Sequence, residues 1–169
     1  MRLFVAVWPP EDVLAVVASV PRPVVVGARW TTPDQWHVTL RFIGEVDDGV
    51  LPEIVSAIEG LGLASVDVRL GREAELLNPR IVSVPVAGLE AIGPAVIEAT
   101  AGFGRPPEHR PFSGHLTLAR LKGVRRRDLA GVLGSAIDAA WTVDEVHVVR
   151  SFLSPKGARY ESVAAVRLP

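Results

Sequence analysis

The chain has 169 residues, no cysteine and a net charge of −1, and 49% of its residues are apolar. This length suits one folded domain, and the absence of cysteine excludes disulfides, thiolate zinc sites and cysteine nucleophiles. The balanced charge does not favour a general polyanion-binding protein. Since no apolar run is long enough to span a membrane and the apolar start is broken early at Pro9, we expect a cytoplasmic protein without a signal peptide.

Predicted strands and helices alternate through the first half of the chain. Runs that alternate apolar and polar residues predict strands, and apolar residues spaced three or four apart predict helices. In chain order we predict a strand over 2–8, a helix over 11–20, an irregular segment over 24–34, a strand over 36–43, a helix over 47–60 and a strand over 65–70.

The second half repeats much of this order. We predict a strand over 81–86, a helix over 89–101, a Gly- and Pro-rich segment over 102–111, a strand over 114–120, a helix over 126–139, a strand over 141–152, a turn over 154–157 and a strand over 159–168. The shared order suggests an ancient duplication with a pseudo-two-fold axis. We therefore expect residues 1–169 to form a single domain of two intertwined lobes.

Two short motifs stand out, His37-Val38-Thr39-Leu40 and His115-Leu116-Thr117-Leu118, which lie 78 positions apart. In a strand, side chains alternate between the two faces, so each motif presents its His and Thr on one face and its apolar residues on the other. For either motif alone, ordinary half-buried strand residues are an equally good explanation. The repetition favours one site built from both.

Two imidazoles across a cleft can supply one proton and accept another, because histidine populates both forms near neutrality. Thr39 and Thr117 could donate hydrogen bonds to an anion held between them, which is an arrangement suited to phosphodiester cleavage. Arg41 shares the strand face of Thr39, whereas Arg120 lies on the opposite face of its strand unless that strand twists or bulges. The alternation therefore favours Arg41 over Arg120 as a phosphate ligand.

A basic cluster follows the second motif. It comprises Arg120, Lys122, Arg125, Arg126 and Arg127. Such a cluster raises the local concentration of ligands that bear phosphate, although a solvated helix start would explain it as well.

Other chemistries fit less well. The motifs contain no carboxylate, and a metal site would have to recruit His109 or His147, so we expect no metal and no cofactor. The sequence has no Gly-x-Ser-x-Gly element for a serine hydrolase. It also lacks a Gly-rich phosphate loop followed by Lys, which argues against hydrolysis of nucleoside triphosphates.

The paired motifs resemble those of the two-histidine (2H) phosphoesterase superfamily. The closing segment Ser151-x-Leu153-x-Pro155-x-Gly157-Ala158-x-Tyr160 is similar to that of its bacterial and archaeal RNA 2′,3′-cyclic phosphodiesterase branch, also called 2′-5′ RNA ligase-like. The resemblance implies a bilobal α+β fold, in which two antiparallel sheets line a central groove and the helices lie outside.

The resemblance also implies an activity and residue roles. It implies metal-independent hydrolysis of an RNA terminal 2′,3′-cyclic phosphate to a 2′-phosphate, with reverse ligation as a possible second reaction. His37 would be the proton donor and His115 the proton acceptor, while Thr39 and Thr117 would bind the phosphate and Arg120 would assist. We expect a monomer that acts on RNA ends.

Two alternatives stay open at this stage. A related 2H enzyme could act on a small cyclic nucleotide or on a 2′,5′-linked oligonucleotide, and loops would decide that. A protein that binds RNA ends without catalysis is the other alternative, although it would not need two titrating groups.

Overall fold

A computed structural model describes residues 1–155 and 157–169 of the chain. Its strands and helices, in chain order, are β1 (Arg2–Val7), α1 (Glu11–Ala18), β2 (Ala28–Trp30), β3 (Val38–Glu45), α2 (Leu51–Glu59), β4 (Val66–Glu73), β5 (Glu75–Asn78), β6 (Ile81–Ala87), α3 (Ile92–Ala99), β7 (His115–Leu121), β8 (Ala136–Val143), β9 (Glu145–Ser154) and β10 (Gly157–Arg167). None of these helices is long and apolar enough to cross a membrane.

The strands follow one path in the order β10-β9-β1-β3-β7-β6-β4-β8, with β2 beside β7 and β5 beside β6. Every described pairing is antiparallel. At the centre of the path, β3 pairs with β7 where Val38 lies opposite Leu116. This junction divides the path into β10-β9-β1-β3 and β7-β6-β4-β8. This confirms the predicted α+β fold with antiparallel sheets.

Alternation along β1 separates the core from a second face. Leu3, Val5 and Val7 lie in the main apolar core, which also buries α1 through Val17. Phe4 and its neighbours on the other face form a separate small cluster with Val149, against which Trp8, Phe42 and Tyr160 pack. One face of strand β1 thus packs in the main core, and its other face packs against the cluster that includes Tyr160.

The predicted helix over 126–139 is wrong. A short 3-10 turn covers Arg126–Leu129, and strand β8 begins at Ala136. Gly131 and Gly134 make a long helix unfavourable, and Gly134 has a φ of +80°, outside the helical region. From residue 137 to 143 the apolar residues alternate, which is a strand pattern.

The other predicted elements are confirmed to within a few residues, with three corrections. The segment over 24–34 is not wholly irregular, because it contains β2. Strand β5 was not predicted. The predicted strand over 141–152 instead spans the end of β8 and most of β9. The predicted turn over 154–157 includes residue 156, which lies outside the described residues.

Candidate active site

The two motifs lie side by side on the central strands. His37 immediately precedes β3, and His115 is the first residue of β7. Both face one cavity, together with the two motif threonines. The lining residues are Arg29, Thr31, Gln35, His37, Thr39, Ile81, His115, Thr117, Arg120, Ala158 and Tyr160. The structure therefore brings five of the six predicted site residues together, and Arg41 is the exception.

Both histidines are held in the same way. The Nδ1 atom of His37 lies 2.7 Å from the carbonyl oxygen of Gln35, and that of His115 lies 3.0 Å from the carbonyl oxygen of Ser113. Because a carbonyl oxygen can only accept, Nδ1 is the protonated nitrogen in each neutral ring. Nε2 is then the nitrogen available for proton transfer, and in His37 it lies 3.1 Å from the hydroxyl of Thr39, which donates to it.

Aromatic rings surround His37 on several sides. The ring centroids of Phe4, Trp8 and Tyr160 lie 4.9, 5.4 and 5.0 Å from that of the imidazole. Burial among these rings is the largest cause that lowers the pKa of His37 to about 4, and the positive charge of Arg120, with repulsion from a protonated His115, lowers it further. The hydrogen bond to Gln35 opposes this only in part. In the unliganded site His37 is therefore neutral at pH 7.

Each motif strand contains a β-bulge directly after its threonine. In β3, Thr39 pairs with Ala6 and Arg41 with Val5, so Leu40 is the extra residue. In β7, Thr117 pairs with Ser83 and Ala119 with Val82, so Leu118 is the extra residue. An extra residue shifts the alternation by one position, and every side chain beyond it changes face.

The bulge at Leu40 turns Arg41 away from the cavity that contains both histidines. Arg41 pairs with the core residue Val5 and is only 6% exposed. Its guanidinium donates to the carbonyl oxygens of Phe42 and Arg105. Burial, with the nearby charge of Arg105, lowers its pKa. The alternation argument that favoured Arg41 is wrong, because it assumed a regular strand.

The bulge at Leu118 has the opposite consequence for Arg120, which it returns to the face of His115 and Thr117. Thr31 fastens this bulge, since both its backbone N–H and its hydroxyl donate to the carbonyl oxygen of Leu118, each at 2.9 Å. The buried Trp36 in turn donates its indole N–H to the Thr31 hydroxyl at 2.9 Å. Arg120 thus lines the cavity because the strand bulges at a fixed place.

Six of the lining residues were not predicted as site residues, namely Arg29, Thr31, Gln35, Ile81, Ala158 and Tyr160. Arg29 belongs to β2, in the segment predicted to be irregular, so its strand partner was not foreseen. Gln35 ties the site to the last hairpin, because its side-chain amide donates to the carbonyl oxygen of Ala158 at 2.6 Å. Tyr160 packs edge-on to His37, and burial raises its pKa. The closing segment contains Tyr160, but only the pairing of β9 with β10 brings it to the site.

A second cavity of about 200 Å³ adjoins the first and shares Thr39 and His115 with it. Arg41 and Arg105 lie in its wall. Its apolar lining comes from Leu40, Phe42, Leu77, Ile97, Pro106, Pro107, Pro111 and Phe112. An apolar space that opens beside two polar motifs is suited to a ligand with a flat ring next to an anionic group.

The remaining basic and imidazole groups lie elsewhere. Within the described residues, His109 and His147 do not line the site, and His147 contacts the hydroxyl of Ser162 at 2.8 Å. Arg125 pairs with Asp128 at 3.3 Å, and of the basic cluster, which the structure describes in full, only Arg120 lines the cavity. Among the residues that the structure describes, no group of three or more His, Asp or Glu side chains could hold a metal ion.

An antiparallel α+β fold with two His-x-Thr strands converging on one cavity defines the class of two-histidine phosphoesterases. The model of the LigT-like phosphoesterase family matches residues 7–74 and 83–160, and the chain belongs to this family.

Curated relatives and solved structures agree with this assignment. A Thermus thermophilus protein named RNA 2′,3′-cyclic phosphodiesterase is 32% identical over 177 aligned positions, covering 95% of this chain and 86% of the relative. An Aeropyrum pernix protein of the same name is 30% identical over 145 positions, covering 79% and 82%.

Two solved structures show the same fold over nearly the whole chain. A crystal structure of a Thermus thermophilus protein has a TM-score of 0.82 and 29% identity, covering 99% of this chain and 98% of its own. E. coli LigT complexed with 3′-AMP has a TM-score of 0.78 and 22% identity, covering 99% and 97%, and this likeness concerns the fold alone.

Proposed function

We propose that the protein hydrolyses the 2′,3′-cyclic phosphate at the end of an RNA strand to a 2′-phosphate, without a metal ion. The observation that carries this proposal is the pair of histidines, each fixed through Nδ1 so that Nε2 is available at one shared cavity. The names of the relatives support the choice of substrate. The adjoining apolar cavity supports it too, because it offers space for the nucleoside that carries the phosphate.

The proposed reaction is a single displacement at phosphorus. His115 accepts a proton from water as the water oxygen bonds to phosphorus, and His37 gives a proton to the departing 3′ oxygen as its bond to phosphorus breaks. The hydroxyls of Thr39 and Thr117 donate to the non-bridging oxygens, and Arg120 binds the developing negative charge. The product keeps the phosphate on the 2′ oxygen.

The aromatic surroundings of His37 disfavour its protonated form, so the proposed role as proton donor requires that the bound substrate offset them. Burial disfavours the imidazolium in the unliganded site, and a bound phosphate anion opposes that effect by its charge. An imidazolium formed in this way is a stronger acid than one in water, so it yields its proton readily to the leaving oxygen. We expect NMR titration to give His37 a pKa well below 6.5, and a higher pKa when a 2′-nucleotide is bound. A pKa that stays near 4 with the nucleotide bound would contradict this role.

We also propose that the protein acts as a monomer in the cytoplasm. A single chain already supplies both histidines, both motif threonines and Arg120 to the cavity, so the proposed chemistry needs no residue from a second copy. Size-exclusion chromatography with light scattering should give the mass of one chain, about 18 kDa.

The direct experiment is turnover of an RNA oligonucleotide ending in a 2′,3′-cyclic phosphate, measured in excess chelator. We expect undiminished turnover and a product that carries only a 2′-phosphate, identified by its resistance to an enzyme specific for 3′-phosphates. Turnover that stops with chelator, or a product with the phosphate on the 3′ oxygen, would refute the proposed reaction.

A further inference from the structure

Two arginines lie next to each other at the catalytic cavity. In the pairing of β2 with β7, Arg29 stands opposite Arg120, and both line the cavity. Within the described residues, neither forms an ion pair with a carboxylate. Like charges directly opposite each other on paired strands are destabilising. Such a pair therefore points to an anionic ligand that offsets the repulsion.

The described lining of the cavity offers no compensating charge. Among the described residues that line it, none is Asp or Glu. A cyclic phosphodiester carries a single negative charge, and Arg120 stands on the same strand face as His115 and Thr117, where that phosphate would bind. The positive charge of Arg29 is then available to bind a second anionic group of the ligand.

The guanidinium of Arg29 lies toward the last hairpin. A Cβ atom at Gly157 would lie only 2.5 Å from its Nη2 atom and 3.6 Å from the amide nitrogen of Gln35. Gln35 in turn is held by the carbonyl oxygen of Ala158. The glycine thus leaves space for the arginine head at the edge of the cavity, at the start of β10.

We propose that Arg29 binds the phosphodiester adjacent to the terminal cyclic phosphate, so that the cavity recognises at least two consecutive phosphates of an RNA strand. This inference rests on the proposed function and narrows it, because a cyclic mononucleotide has only one phosphate and would leave Arg29 without its ligand. Arginine binds phosphate oxygens by paired, charge-assisted hydrogen bonds, which makes it suited to this task.

The test compares three substrates on the wild-type protein. They are a 2′,3′-cyclic mononucleotide, a dinucleotide that ends in a 2′,3′-cyclic phosphate, and the same dinucleotide with an uncharged methylphosphonate at its internal linkage. We expect kcat/KM for the charged dinucleotide to exceed that for its neutral analogue by about tenfold. In Arg29→Gln the two dinucleotides should be equal, and the loss of turnover should be larger for the charged dinucleotide than for the mononucleotide.

Arg159→Gln is the matched control. Arg159 lies between Ala158 and Tyr160 on β10 and therefore points to the other face, where its guanidinium packs 4.3 Å from the ring centroid of Phe152. The substitution removes one positive charge close to the same hairpin, and the substrate preference should persist.

Two results would overturn the inference. Equal turnover of the charged and neutral dinucleotides by the wild-type protein would show that the second phosphate is not recognised. A loss in Arg29→Gln that is as large for the mononucleotide as for the dinucleotide would assign Arg29 to the cyclic phosphate itself. If the wild-type protein opened none of the three substrates, the proposed function would fail instead.

Discussion

Leu40 and Leu118 are equivalent residues, since each follows the threonine of its motif and each is the extra residue of a β-bulge. Beyond each bulge, the third residue after the threonine returns to the site face. In β7 that residue is Arg120, which lines the cavity. In β3 it is Phe42, which packs against the cluster of Phe4 and Ala6. The two strands thus share a geometry and differ in what they present, a cation from one and an aromatic ring from the other.

Replacing each of the two strand arginines should separate catalysis from stability. Arg120→Gln should lower kcat/KM for a cyclic phosphate by about tenfold or more, because it removes a charged hydrogen-bond donor, and should leave the free energy of unfolding nearly unchanged. Arg41→Met should lower that free energy by roughly 1–3 kcal/mol, because it leaves the carbonyls of Phe42 and Arg105 without their donor. Steady-state kinetics and urea unfolding measure both, and a larger fall in kcat for Arg41→Met than for Arg120→Gln would contradict the assignment.

The sequence predicts the catalytic strands well because two periodic signals coincide there. His37 with Thr39 and His115 with Thr117 keep the two-residue spacing of a strand, and both bulges come after these pairs, so the prediction holds for all four. It fails at the next arginine in each strand. A bulge depends on contacts with residues that are distant in sequence. At Leu118, for example, the carbonyl oxygen accepts a hydrogen bond from the hydroxyl of Thr31.

The errors at 126–139 have a different origin. Four apolar residues in this segment have helical spacing, namely Leu129, Val132, Leu133 and Ile137. Three of them, Leu129, Val132 and Ile137, are buried, but they lie in turns and in strand β8 and not in a helix. The alternation of apolar residues from Ile137 to Val143 indicated a strand, and the two glycines before it indicated that no long helix forms. Arg29 could not be predicted as a site residue, because only its pairing opposite Arg120 brings it to the cavity.

The buried position of His37 should make stability depend on pH. Its pKa is lowered from 6.5 to about 4 in the folded protein, so as pH falls through this window the unfolded chain takes up a proton that the folded protein does not. Stability from this residue is therefore complete above about pH 6.5 and declines toward pH 4. At about 1.4 kcal/mol for each unit of pKa, the loss is roughly 3 kcal/mol.

Urea unfolding at several pH values between 4 and 7 measures this loss. His37→Gln should flatten the pH dependence by that amount, whereas His109→Gln, which changes an exposed histidine, should leave it as in the wild-type protein. An unchanged slope in His37→Gln would show that the pKa of His37 does not differ between the folded and unfolded states.

Gly114 should be required for the position of the second histidine. A Cβ atom there would lie 2.5 Å from the carbonyl oxygen of Val86, whose N–H donates to the Gly114 carbonyl oxygen at 2.9 Å. Gly114→Ala should push the start of β7 away from β6, with a cost of roughly 1–3 kcal/mol and a fall in kcat. Gly49→Ala is the matched control, because a Cβ atom at Gly49 has no described atom within 4 Å. Equal stability of the two variants, by urea unfolding, would count against this close approach.

The central claim is that His37 and His115 act as one acid and base pair. Its most direct test is kcat for an RNA 2′,3′-cyclic phosphate in excess chelator, measured for His37→Ala, His115→Ala and the double variant. Each single variant should lose on the order of a hundredfold or more, and the double variant little beyond that, because residues that act as a unit are not additive. Undiminished turnover in either single variant, with the fold intact by circular dichroism, would contradict the account.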